Sequence, residues 1–169
     1  MKGERNAQVY QVGPHLFGTS STIPHWKTEE LIPSLKPFLL SLDTYKEKEL
    51  KIAFSLAIQP ESETQEEDHA KYRSLIEFEW ESATCRISVI PDTDSYLITI
   101  LAPNDPKEYT AYFFYGFTKG ILFLHATEAD AFVLNNILMM IYAFNTACSD
   151  TVLMHASVIK KDGKGYLFQ

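Results

Sequence analysis

The chain has 169 residues, 46% of them hydrophobic and 13% aromatic, with a formal net charge of −7. That is enough apolar material to bury the core of one domain, or of one domain and a fragment, and it excludes a disordered chain. The acidic balance argues against nucleic acid and anionic membrane as partners, because both need a concentrated basic surface.

The polar start "MKGERNAQVYQ" carries no apolar leader, so no signal peptide is read there. The most apolar run, "AFVLNNILMMIYAF", is interrupted by Asn135 and Asn136 and falls short of the about eighteen apolar residues of a membrane span. Two cysteines, Cys85 and Cys148, without a leader point to reduced thiols in a cytoplasmic protein.

In chain order, "AQVYQVGPHLFGTS" reads as a short strand broken by a turn at Gly13-Pro14. "TIPHWKTEELIPSLKPFLLS" holds Pro24, Pro33 and Pro37, which exclude a long helix and leave room for a turn or so around Glu29 to Leu35. "LKIAFSLAIQ" is a strand with Leu50, Ile52, Phe54, Leu56 and Ile58 on one face. "PESETQEEDHAK" is a solvated acidic loop. "SLIEFEWESATCRISVIP" alternates, with Ile76, Phe78 and Trp80 on one side and Glu77, Glu79 and Glu81 on the other. "DSYLITILAP", "EYTAYFFYGF" and "GILFLHA" extend the pattern. Turn signals at Pro91-Asp92, Asn104-Asp105-Pro106 and Lys119-Gly120 predict an antiparallel meander with one wet and one dry face.

The period then changes. "TEADAFVLNNILMMIYAFNTACSD" opens with Thr127 and Asp130 at capping-box spacing, Asp standing in place of Glu or Gln. Leu134, Ile137, Leu138, Ile141 and Tyr142 form a helical stripe, and Phe132, Met139, Met140 and Phe144 make the helix apolar nearly all round. Two strands follow, "TVLMHASVI" and "GYLFQ", around the tight-turn dipeptide Asp162-Gly163. The predicted fold is α+β: a largely antiparallel β-sheet packed on one long apolar helix, with a C-terminal β-hairpin.

The segment "LMHASVIKKDGKGYLFQ" resembles the stretch just upstream of the phosphate loop in HPr kinase/phosphorylase-like and phosphoenolpyruvate-carboxykinase-like proteins. There a strand carrying His and small residues leads through a glycine turn into an apolar strand that enters a G-x-x-x-x-G-K-[ST] loop. His155-Ala156-Ser157, Gly163, Gly165 and Tyr166-Leu167-Phe168-Gln169 occupy those places here. The resemblance covers roughly the last twenty residues. It implies a 1–126 β-rich N-terminal domain, and in 127–169 a helix and hairpin that begin a truncated P-loop kinase-like domain. It implies that His155 is the catalytic residue of the complete protein, an ATP- and Mg²⁺-dependent phosphotransferase. The better-known HPr kinases carry His-Gly where Ala156 follows His155, which leaves the acceptor open between a protein serine and a small molecule. No G-x-x-x-x-G-K-[ST] run occurs in the chain, so as it stands it is expected to bind no nucleotide and to be inactive. The alternative is a stand-alone β-rich interaction or ligand-binding module with no catalytic role.

The other candidates read more plainly. In a chain without that loop, His155 lacks the partners catalysis needs and reads as a structural histidine. Lys160, Lys161 and Lys164 form a solvated turn. Glu77, Glu79 and Glu81 are a wet strand face, their spacing only formally compatible with a glycosidase pair. His15, His25, His69 and His125, with the two cysteines, show no metal-ligand spacing. Cys148 and His155 lie on different elements, and Cys148 reads as a buried thiol. The tryptophans, the tyrosines and Met139-Met140 read as core, rim and packing. The apolar arm "GYLFQ" presents an open strand edge, and such edges recruit another chain. Light scattering is therefore expected to show a homo-oligomer joined through the C-terminal hairpin; a monomer at high concentration would count against it.

Overall fold

The computed structural model describes residues 6–24, 26–41, 51–63, 71–80 and 82–147, and the strand backbones of 157–161 and 164–168. The elements are β1 (Asn6–Val12), β2 (His15–Ser21), α1 (Thr28–Leu31), a 3-10 helix (Pro33–Phe38), β3 (Leu39–Leu40) and β4 (Phe54–Pro60). After a 3-10 turn (Glu61–Glu63) come β5 (Arg73–Trp80), β6 (Ala83–Val89), β7 (Tyr96–Leu101), β8 (Glu108–Phe114) and β9 (Lys119–Leu124). Helix α2 (Asp130–Thr146) follows, then β10 (Ser157–Lys161) and β11 (Lys164–Phe168). The fold is mixed α+β, dominated by a nine-stranded sheet ordered β3-β1-β2-β4-β9-β8-β7-β6-β5.

Six of the eight pairings in that sheet are antiparallel; β2–β4 and β4–β9 are parallel. The meander β5 to β9 is laid from the outside in, so that β9 comes to rest beside β4. Burial explains why β4 tolerates the central place. Phe54, Leu56 and Ile58 are buried and join the main core, while Leu50 lies outside the described residues.

An aromatic ladder crosses the parallel junction. Tyr10 stacks on Phe17 at 5.1 Å, and Phe17 on Phe54 at 5.0 Å, each pair directly opposite in register. Such cross-strand pairs fix register by contact area. On the same side α2 supplies Val133, Leu134, Ile137 and Ile141 to one core shared with the strands. The other side of the sheet is not uniformly wet. Leu97, Tyr112 and Phe123 form a second buried cluster there, flanked by Tyr72, Phe114 and Ile121.

Three local expectations are corrected. Lys119-Gly120 is not a turn: both residues open β9. The reversal falls earlier, where Tyr115, Gly116 and Phe117 all adopt positive φ. Gly120 is glycine for packing, because a Cβ there would stand 2.6 Å from Phe113 Cδ1, closer still to Cε1, and 3.1 Å from Leu56 Cδ1. Nor does the Thr127/Asp130 pair form the usual capping box. Thr127 Oγ1 accepts from the Ala129 N–H at 3.2 Å, and the Asp130 carboxylate accepts from the N–H groups of Ala126 at 3.0 Å and His125 at 3.3 Å. Finally, Ile76 and Trp80 stand on the core side of the sheet, opposite buried Ile87 and Ala83, yet they are 52% and 38% exposed, because β5 is the outermost strand.

The Phe113 ring is fully buried, and it shares the main core with Leu56, so a side chain at Gly120 must displace buried packing. Gly120→Ala is expected to destabilise the fold by about 1–3 kcal/mol as an overpacked core position. Urea unfolding with an unchanged m-value checks this; a neutral or stabilising substitution would show that the ring moves aside.

Candidate functional site

The parallel pairing of β4 and β9 builds the site. Pro60 pairs with Leu124 at the end of the ladder, so the next residues of both strands, Glu61 and His125, emerge side by side. The β7–β8 loop opens at the same end of the sheet, because β7 runs parallel to β9 two strands away. It brings Asp105 and Lys107. Carboxyl ends of parallel strands in open sheets are where ligands are commonly held.

His125 Nδ1 lies 2.7 Å from Glu61 Oε2, a close approach that does not have hydrogen-bond geometry. Its Nε2 is 3.2 Å from the Glu108 carbonyl oxygen, and its ring meets Tyr109 edge-on at 4.4 Å. The imidazole is 6% exposed and the Glu61 side chain 54%. Lys107 Nζ approaches the same Glu61 oxygen at 3.5 Å. The contact with His125, helped by Lys107, holds the Glu61 carboxyl below the usual carboxylate range.

Asp105 is the second node. Its Oδ1 accepts from the Lys107 backbone N–H at 3.0 Å, and its Oδ2 from the hydroxyls of Tyr109 at 2.9 Å and Thr127 at 3.0 Å. These donors, the Lys107 N–H first, hold its carboxyl below the usual range. Burial, with Asp105 beside it, pushes the Tyr109 hydroxyl well above its ordinary value. A cleft of about 410 Å³ opens against this node, lined by Pro103, Asn104, Asp105, Thr127, Glu128 and Phe132. Two residues in the loops are held at positive φ, Asn104 at 61° and Ala126 at 58°. The strain at Ala126 turns its N–H toward Asp130.

Chemically, the arrangement is a set of engaged groups. Both nitrogens of His125 face oxygen, and Asp105 accepts three hydrogen bonds. The acidic lining of the cleft, Asp105 and Glu128, suits a hydroxyl- or amine-bearing ligand better than an anion. Among the described residues no group of three or more His, Cys, Asp or Glu side chains could hold a metal ion.

The sequence candidates fall elsewhere. His155, Cys148, His25, His69 and Glu81 lie outside the described residues. Lys161 pairs with Lys164, and Lys160 with Gly165, in the β10–β11 ladder. Glu77 is bound to Arg86 at 2.6 Å on the exposed strand β5, so it is not poised as an acid or base. Cys85 is buried, and burial pushes its thiol up to about 11, which makes it an inert packing group against Met140. Sequence reading missed the Glu61–His125–Asp105–Tyr109 grouping. The only available signal was a His and an Asp at strand ends, with nothing to say that those ends meet.

Compared with protein-family models, with curated proteins and with solved structures, the chain matches none. The functional reading therefore rests on its own residues.

Tyr109→Phe removes a buried hydroxyl bonded to a carboxylate and is expected to cost about 1–3 kcal/mol at neutral pH. Asp105 has a lowered folded-state pKa, so its contribution is complete above the unfolded carboxyl value of about 4 and is lost as the pH falls through the folded value. The variant's deficit is therefore expected to shrink in acid. Denaturant unfolding at several pH values checks this; a deficit that stays constant into acid would remove Asp105 as the partner that matters.

Proposed function

We propose that the chain is the β-rich N-terminal part of an HPr kinase-like, ATP-dependent phosphotransferase. In this reading residues 1–126, the β-rich N-terminal domain, are a regulatory or substrate-positioning module of a cytoplasmic protein. The helix and hairpin of 127–169 begin the phosphate-transfer domain. The observation that carries the reading is the ladder Ser157–Phe168 to Lys161–Lys164. It is a two-stranded sheet separate from the nine-stranded one, formed by the residues that carry the resemblance. No helix among the described residues is long and apolar enough to cross a membrane.

The residues present do not fit a nucleotide. Gly165 is paired with Lys160 inside the ladder, whereas a phosphate loop leads its backbone N–H groups into a helix N-terminus. No step of phosphate transfer is assigned to these residues, and ATP and Mg²⁺ belong to the complete protein. The module reading, with no catalytic role, is the second one. The exposed apolar residues of β5, Leu75, Ile76 and Trp80, favour it.

The coding DNA beyond Gln169 tests the proposal. Continuation into a Gly-rich Lys-Ser/Thr loop is expected, and the extended protein should transfer phosphate from ATP to a serine or small-molecule acceptor. His155→Ala in that protein should abolish transfer while leaving nucleotide binding measurable. A stop codon, or continuation into any other sequence, would remove the reading's main support.

A further inference from the structure

Among the described residues no strand covers the outer edge of β5, and the chemistry of that edge selects what can close it. Among the described residues β5 pairs with β6 alone and ends the nine-stranded order. Each of its residues is exposed except Phe78, which is half-buried. Leu75 and Ile76 are each 52% exposed and Trp80 38%. An open edge with apolar side chains is a template for an added strand.

The two faces of the edge differ. Past the register irregularity between Ser74 and Ile76, the residues Ile76, Phe78 and Trp80 stand opposite Ile87, Cys85 and Ala83. All three of those partners are buried, so this face is continuous with the core. Beside it lies a small apolar cleft of about 50 Å³, walled by Phe78, Trp80, Cys85, Phe132, Asn136 and Met140. On the other face stand Glu77 and Glu79, opposite Arg86 and Thr84. Arg86 binds Glu77, whereas Glu79 has no ion pair among the described residues.

A second copy in the registers that lay Ile76–Trp80 on itself sets acid against acid. Laid antiparallel about Phe78, the stretch Ile76–Trp80 sets each Glu77 against the other's Glu79. Laid parallel in register it sets like against like, and like charges directly opposite are destabilising. Basic residues at the same positions turn repulsion into pairing, and the net charge of −7 draws a basic segment in.

We propose that β5 is a strand-addition site for an extended segment of another protein that alternates apolar and basic residues. Its apolar side chains cover Ile76 and Trp80 and reach the cleft beside Phe132. Its basic side chains face Glu77 and Glu79. This holds whether or not the chain belongs to a phosphotransferase.

The test uses the whole 169-residue chain and a short peptide alternating lysine and valine. The alternate amides of residues 76–80 that point away from β6 are expected to become protected from hydrogen exchange, Trp80 emission to shift to the blue, and binding to weaken with salt. Glu79→Lys, on an exposed strand position, is expected to weaken binding about tenfold and to gain affinity for a glutamate–valine peptide. A peptide of the same composition in block order should bind no better than that variant does. Absence of protection would overturn the proposal, as would equal binding of the lysine and glutamate peptides. Concentration-dependent protection of 76–80 in the free chain would assign the edge to a second copy instead.

Discussion

The sheet is tightest at Gly120, where the ring of Phe113 occupies the space that a side chain would fill and Leu56 Cδ1 closes in from the other neighbouring strand. This contact joins β8, β9 and β4 at the point where the antiparallel meander meets the parallel strands. Because β9 and β4 run in the same direction, the residues that leave both strands emerge together. The meeting of Glu61 with His125 is a consequence of that pairing and not a separate invention of the loops.

The entry to α2 depends on the same end of the sheet. The residue before the helix, Ala129, makes no side-chain cap, and the first turn carries only Asp130. Its carboxylate sits near the positive end of the helix and also takes two backbone N–H groups from the β9–α2 loop. Thr127 serves two partners at once, accepting from Ala129 and donating to Asp105. The loop from β7, the loop from β9 and the start of α2 thus form one hydrogen-bonded unit around Tyr109, which is 1% exposed. A second unit of the same kind ties α1 down: Thr28 Oγ1 lies 2.8 Å from Thr19 Oγ1, and its N–H donates to Gln8 Oε1 at 2.9 Å.

Much of the strand content was legible because alternation is a local property. Phe54, Leu56 and Ile58 alternate and are buried; Leu97, Ile98 and Ile100 are equally buried on a strand covered on both sides. Strand order was not legible, because parallel pairing between β4 and β9 leaves no mark in either segment. Two errors share that cause. Ile76 and Trp80 alternate as core residues do, yet their strand is the last in the sheet. Lys119-Gly120 has the composition of a turn, and only the Phe113 ring tells why glycine is required there. His125 escaped notice for a related reason. Metal-ligand spacing was the test applied to it, and its partner Glu61 lies on a distant segment.

The titratable groups within the sheet body are largely committed to structure. His125 has an oxygen at each nitrogen, Asp105 is saturated with donors, Glu77 is tied to Arg86, and the Cys85 thiol is silenced by burial. A catalytic site normally leaves at least one acid, base or nucleophile in reach of a substrate. Among the described residues, carboxylates outside these commitments include Glu79 on β5 and Glu128, which lines the cleft beside Asp105, so the chemistry the body leaves open is acidic.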